Sequence, residues 1–586
     1  MGMPGRPQTI AAGSCPLRRR GLSEVSPGYD VVVIGAGAAG MSAALFSAIR
    51  GAKTLLVEKT GFVGGTSALS AGSIWIPNTR HASALGATDS AANVEKYLQQ
   101  IVGNHADVAL RAAFLKAGRA AIEVLENHSE VKLRAYVRHP DYRSELEGAA
   151  LAGRALEPYP FDGRLLGEAF KLVRPPLPEF TLLGGMMVDR TDIGHLLSST
   201  KSIGSLLHST RLVARYARDR VSHGRGTRLV MGNALVGRLL YSLMRQDVDI
   251  LTGASLAKIA REPGGPVTAA TLVSEGASRE IGVNAALILA GGGFNRHAGR
   301  RPAALGTEAG WSSVAPGSSG DAQDRALEIG ARLSARDVSA AFWAPASIRR
   351  RRDGSQAVFP HFVLDRAKPG TLVVDSTGHR FVNEAISYHP FALEMLAKEK
   401  SAIPAFLIAD AVAVRKYGLG MVRPGGWGTR AAVADGYLSA ADTIEQLALR
   451  LNIDPGQLRE TVDRMNLYAR TGRDPEFGRG STVYQHHNGD ASAGGANPNL
   501  GRIATAPFYA VRLYPSDIGT SCGLVTDEAA RVLDAGNQPI AGLYACGNDM
   551  QSIMGGTYPG PGITLGPAIA FAYIAASDAA KRMGVE

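Results

Sequence analysis

The 586-residue chain has only three cysteines, Cys15, Cys522 and Cys546, and they show no CxxC or metal-ligand spacing. So few in so long a chain argue against a disulfide framework or a zinc scaffold and fit a reducing, cytoplasmic compartment. An uninterrupted apolar run of about eighteen residues is also missing, so no helix is expected to cross a bilayer. Residues 1–28 carry Arg18, Arg19 and Arg20 but no apolar core of signal-peptide length, and they read as a loose tail. Aromatic residues are few, at 6 %, and are not interleaved with the basic ones, which leaves a nucleic-acid role with only the net charge of +11 behind it. No repeat of fixed period is visible.

What is present is apolar content of 45 %, ample for one large core and a second smaller one, and 70 glycines scattered through short motifs. The first structured segment is YDVVVIGAGAAGMSAALFSAIRGAKTLLVEK, starting at Tyr29. Val31 to Ile34 read as a buried parallel strand, and Gly35, Gly37 and Gly40 form GxGxxG at the entrance to a helix whose first turn holds Ala38 and Ala39. Gly35 allows a tight turn, Gly37 lets backbone approach a pyrophosphate, and Gly40 lets helix and strand pack closely. Phosphates would rest on the helix N-terminus. Glu58, at the end of the strand TLLVE and followed by Lys59, is spaced to accept hydrogen bonds from an adenosine ribose.

Next comes KTGFVGGTSALSAGSIWIP, with Gly64, Gly65, Thr66, Ser67 and Gly72. It resembles the GGTS stretch beside the isoalloxazine in flavoproteins of the fumarate reductase and ketosteroid dehydrogenase superfamily. ALILAGGGF at 286–294 (with Gly292), PGSSGDA at 316–322 (with Asp321) and GLYACGN at 542–548 (with Gly547 and Asn548) resemble later parts of that fold. The resemblance implies FAD in preference to NAD, with Gly562 and Leu565 closing its site. It implies an α/β fold: a Rossmann-like FAD-binding domain of residues 29–345 and 518–586, with an α+β catalytic domain, 346–517, inserted. Within the insert, 370–390 reads as strand, turn, strand and loop, 429–470 as helical with a start at Asp454-Pro455, and 489–501 as an irregular loop.

Three tyrosines choose a family. Fumarate reductases place an arginine five residues after the Asn of RFxNE; here Arg380-Phe381-Val382-Asn383-Glu384 leads to Tyr388. Where they carry a second arginine, this chain reads Thr557-Tyr558-Pro559-Gly560-Pro561-Gly562, which resembles the closing motif of the 3-ketosteroid Δ1-dehydrogenases. Asp141-Tyr142, followed by Gly153-Arg154, resembles that family's DY segment. The resemblance implies 1,2-dehydrogenation of a 3-ketosteroid, with a quinone or another acceptor reoxidising the flavin. Tyr558 O–H and the Gly562 N–H would hold the ketone oxygen, Tyr388 would take the C2 proton, Tyr142 would support Tyr388, and flavin N5 would accept the C1 hydride. A phenol's ordinary pKa is about 10, so a tyrosine base needs such help near neutral pH.

Each phenol could instead pack its ring and bond its hydroxyl to backbone, as buried tyrosines usually do. Tyr136 and Tyr159 flank Tyr142, and a polar loop explains His139 and His389. Phe294, Trp343 and Phe362 are candidate pocket walls. A Δ4(5α)-ketosteroid dehydrogenase, a fumarate-type reductase and a non-catalytic flavin-bearing electron-transfer or binding protein are the rival readings.

Between Pro175 and Met231 the chain is longer than compact members of the family, and basic residues gather there: Arg211, Arg215, Arg218, Arg220, Arg225 and Arg228. Leu206, Leu207, Leu212, Val213, Tyr216 and Val221 lie among them at partly helical spacing. The segment 205–228 reads either as a basic amphipathic helix resting on the anionic inner face of a membrane or as a plain solvated helix.

Overall fold

The computed structural model describes residues 17–87 and 89–585. Its main sheet has eight strands. The β-branched strand Gly28–Ile34 pairs in parallel with Thr54–Glu58 on one side and with Ala277–Leu289 on the other. Every residue of Thr54–Glu58 is buried, as expected for a strand that helices cover on both faces. Asp249–Thr252 extends this sheet outward. Pro539–Ala545 pairs with the far side of Ala277–Leu289, so the C-terminal part of the chain completes a sheet begun at its start. Ser255–Arg261 and Val267–Ser274 continue it as antiparallel strands. The helices Ala38–Ile49 and Leu565–Arg582 pack against one another.

Residues 17–27 are not loose. The Arg20 N–H donates to the carbonyl of Ile250 at 3.0 Å, and its guanidinium pairs with Asp249 at 3.0 Å. Tyr29 donates to the same carboxylate at 2.8 Å. A basic residue met an acidic sheet edge that the tail's composition could not reveal. Cys522 and Cys546 are free and buried, while Cys15 lies outside the described residues.

A second sheet of six strands carries the inserted region. Its central pair, Ala341–Arg350 and Phe508–Thr520, runs antiparallel with Ala341 opposite Thr520 and Ala346 opposite Tyr514. The domain seams expected at 345/346 and 517/518 fall inside this hydrogen-bonded ladder. Two local expectations fail. After the strand Thr371–Val374 and its turn no second strand forms, because side chains hold that segment: Arg380 is tied to Glu384 and Asp474, both at 2.8 Å. Tyr388 then begins the helix Tyr388–Lys398 instead of lying in a loop. Within 429–470 the strand Leu438–Ala441 separates the helices, drawn in by pairing with Phe508–Thr520. Asp454 does cap the helix Pro455–Thr471, accepting from the Gln457 N–H.

The long segment after Pro175 folds as a hairpin of helices, Arg190–Leu197 and Ile203–Ser222. It is tied to the inserted region by the Glu179–Arg351 ion pair at 2.7 Å and by stacked Phe180 and Phe359, 4.8 Å apart. Among the described residues no helix is long and apolar enough to cross a membrane.

Candidate active site

The nucleotide end is built from backbone. Gly35 has φ +104°, and a Cβ there would stand 2.3 Å from the Ala290 carbonyl oxygen; a Cβ on Gly40 would stand 1.8 Å from the Gly35 oxygen. Only glycine permits strand, turn and helix to come this close. A Cβ on Gly37 would meet only Ser67 Oγ, at 3.9 Å, so space is left at the helix start where a pyrophosphate would lie. The Glu58 carboxylate is aimed by the Ala36 N–H at 3.0 Å and by the Thr60 N–H at 2.9 Å. Lys59 pairs with Asp321 at the start of another helix.

The GGTS loop closes over this turn. Gly64 and Gly65 have positive φ, a Cβ on Gly65 would lie 3.5 Å from Gly37 Cα, and Ser67 Oγ accepts from the Ala38 N–H at 3.1 Å. Thr66 Oγ1 accepts from the Ala315 N–H at 3.1 Å, which draws in the PGSSGDA loop. Gly72 sits against the backbone of Gly232, Gly292 against Ser318, and Gly547 against Ala39. Asn548 packs on Gly519 beside the start of the helix that begins at Leu565. One residue beyond Asn548, and not marked by the motif, buried Asp549 accepts from the N–H groups of Gly291 and Gly293, the latter at 2.9 Å, and burial pushes its pKa up to about 6. The signal was an acid directly after a strand-ending GN turn.

The phenol end is built from side chains. Tyr142 donates to the Tyr388 hydroxyl at 3.1 Å although 246 residues separate them. The Tyr558 ring lies 5.9 Å from that of Tyr142 and 5.2 Å from that of Tyr388. Phe362 walls Tyr388 at 4.9 Å and Phe342 walls Tyr558 at 5.2 Å, while Phe294 and Trp343 pack into a separate small cluster. All three phenols are buried. Burial, followed by the neighbouring phenols, pushes Tyr388 well above the ordinary tyrosine range. His389 is fixed as a neutral strut: Nδ1 accepts from the Trp343 N–H at 3.1 Å and Nε2 donates to the Gly556 carbonyl at 2.8 Å.

Gly562 has φ +92°, and a Cβ there would stand 2.4 Å from the Ser73 oxygen. Its carbonyl accepts from the Trp75 N–H at 3.1 Å, and among the described residues its own N–H has no acceptor. A buried ion pair fastens this turn to Tyr142: Arg154 reaches Asp141 and Asp89, each at 2.7 Å, and Asp141 also accepts from Trp75 Nε1 at 2.8 Å. Tyr97 and the Tyr142 N–H both donate to the Pro559 carbonyl, at 2.7 and 3.0 Å. Trp75, although inside the GGTS stretch, and Tyr97, outside every motif, are not marked by spacing because their partners Asp141 and Pro559 lie far along the chain. Tyr136 bonds Ser73 Oγ at 3.0 Å, and Tyr159 is exposed, away from the cluster.

The model of the family described as "FAD binding domain" matches residues 30–565. The chain is 34 % identical to a 3-oxosteroid 1-dehydrogenase of Mycolicibacterium smegmatis, over 94 % of this chain and 97 % of that one. It belongs to the 3-ketosteroid Δ1-dehydrogenase family of FAD-dependent flavoproteins. The structure of 3-ketosteroid Δ1-dehydrogenase from Sterolibacterium denitrificans with 1,4-androstadiene-3,17-dione matches with a TM-score of 0.87 and 32 % identity, covering 95 % of this chain and all of that one. A 4-oxocyclohex-2-ene-1-carboxylate 5-dehydrogenase of Sinomonas cyclohexanicum is 35 % identical over 94 % of both chains.

Proposed function

We infer that the protein is an FAD-dependent dehydrogenase that introduces a C1–C2 double bond beside the ring ketone of a 3-ketosteroid. The observation carrying this reading is that three phenols from distant stretches converge at a turn whose Gly562 N–H is free to donate. Tyr558 O–H and Gly562 N–H hold the ketone oxygen, so the charge that develops there as the C2 proton leaves meets two donors already in place. Tyr388 takes that proton as a phenolate, to whose oxygen Tyr142 donates, and becomes a neutral phenol in the step. The rings of Phe342 and Phe362 keep water from both. Bound FAD supplies the acceptor for the C1 hydride. Anaerobic androst-4-ene-3,17-dione should bleach the flavin and succinate should not; the reverse would defeat the reading.

A second reading keeps the chemistry and shortens the substrate to a single ring ketone, favoured by the 35 % identity to the Sinomonas enzyme. We further propose a cytoplasmic location, a quinone as electron acceptor and attachment to an anionic membrane face through the hairpin. Of its arginines, Arg215, Arg225 and Arg228 are spent internally, on Asp162, on Asn233 with the Phe170 ring, and on Asp189 with Asp192. Its own Leu212 and Tyr216 turn inward and pack on Met186 and Val188. Arg211, Arg218 and Arg220 stay exposed, as do Ile203 (86 %), Leu206 (53 %) and Leu207 (48 %). The protein should co-sediment with phosphatidylglycerol vesicles and lose that property on Leu206→Ser with Leu207→Ser; equal sedimentation would refute attachment here.

A further inference from the structure

One group of basic side chains lies beside the phenols and takes no part in the chemistry above. The His139 ring packs on Tyr136 at 5.0 Å and faces the His487 ring at 5.8 Å. Arg190 reaches His487 Nε2 at 3.2 Å; a guanidinium can only donate, so that nitrogen accepts and the His487 proton sits on Nδ1. His139 Nδ1 is buried and has no hydrogen-bond partner among the described residues. Arg138 and Lys368 complete the group, both within electrostatic reach of His487. Lys368 donates only to the carbonyls of Asn488 and Gly489.

The cluster is short of negative charge. Arg138, Arg190 and Lys368 form no ion pair with a carboxylate among the described residues. Of the acids that bear on Lys368, Asp490 is already held by Lys416 at 2.6 Å and by Tyr417 at 2.7 Å, and Asp365 is bonded to His361 at 2.6 Å. Burial and then the neighbouring cations hold His139 at about 3 and His487 at about 4, so neither imidazole adds charge near neutral pH. Arg138 and Arg190 are exposed and Lys368 is half-buried; their like charges repel one another unless an anion joins them.

Two routes join the cluster to the reacting end. Tyr484, whose ring lies 5.1 Å from that of Tyr142, is three residues before His487 in the helix Val483–Asn488, about 4.5 Å along its axis and on the same side. Tyr136 connects His139 to Ser73, whose carbonyl abuts Gly562. The donors also come from three separate parts of the chain, the DY segment, the helical hairpin and the segment 346–517.

Resting on the ring-ketone reading above, we propose that His139, His487, Arg190, Lys368 and Arg138 form a subsite for a carboxylate carried by the substrate, at the end remote from the ketone. The substrate is then an acid: a 3-ketosteroid with a side-chain carboxylate, or a smaller oxocyclohexene carboxylate. A neutral ketone would leave the cationic cluster unanswered.

The test compares 3-oxo-4-androstene-17β-carboxylate with its methyl ester, and 4-oxocyclohex-2-ene-1-carboxylate with its methyl ester. The holoenzyme is used throughout, reading kcat/KM and the dissociation constant from perturbation of the flavin spectrum. For at least one pair the acid should bind and react about ten- to a hundredfold better than the ester, the size of a charge-assisted hydrogen bond. The preferred pair identifies the ring system. Arg190→Met and, separately, His487→Phe should bring the acid-to-ester ratio toward one, whereas Lys258→Met, an exposed change of equal charge on the flavin-domain sheet, should not. Acid and ester bound equally by the wild type, or a ratio that neither cluster variant moves, would overturn the subsite. Acids bound tightly but never desaturated would uphold the subsite and refute the dehydrogenase reading.

Discussion

The two ends of the site are made of different materials. At the nucleotide end the shape comes from missing side chains: Gly35, Gly40 and Gly72 let backbones touch where a Cβ would collide. At the phenol end the shape comes from side chains present, Tyr142, Tyr388 and Tyr558, brought together across hundreds of residues. A cradle of backbone is specified within a few residues of sequence. A meeting of side chains is specified only by the whole fold, and its geometry depends on remote anchors such as Arg154 and Trp75.

The contrast can be broken most decisively at Tyr388. Tyr388→Phe should keep the flavin and lose about 10²–10⁴ in kcat; rapid-mixing measurement of flavin reduction checks this, and a variant retaining a tenth of the rate would remove Tyr388 from the mechanism. Arg154→Met leaves Asp89 and Asp141 buried without their cation, and should cost about 3–5 kcal/mol of stability, read as a lower urea midpoint or Tm. Gly562→Ala forces a side chain into a positive-φ position against Ser73 and should cost about 1–3 kcal/mol together with most of the activity. Smaller still is the pH effect. Burial holds Tyr388 protonated far into the alkaline range, so the phenolate fraction, and with it kcat/KM, should climb up to about tenfold per pH unit from pH 7 to 9. A flat profile would mean that proton removal does not limit the rate. Tyr142→Phe, which removes one hydrogen bond to Tyr388, should slow the reaction only about tenfold.

Legibility in the sequence followed the same division. The GxGxxG turn, Glu58 and the GGTS loop sit where local spacing placed them, because glycine's steric role is set by its immediate neighbours. The three phenols were found through motif resemblance; spacing alone does not bring residues 142 and 388 into contact. Asp549, Trp75 and Tyr97 were passed over because their partners are backbone groups or side chains far along the chain. The basic run from Arg211 to Arg228 suggested one charged face, yet half of its arginines turn inward to acids and a ring that charge patterning does not see. Nor does composition reveal that burial raises the pKa of Tyr388.

The paired strands through which the chain enters and leaves its insert have a practical consequence. Ala341 and Thr520 face each other across an antiparallel ladder, so their Cα atoms lie about 5 Å apart. A two-residue type I′ turn could bridge that gap. We propose that joining the chain at these two points would leave the sheet around Gly28–Ile34 on one uninterrupted polypeptide.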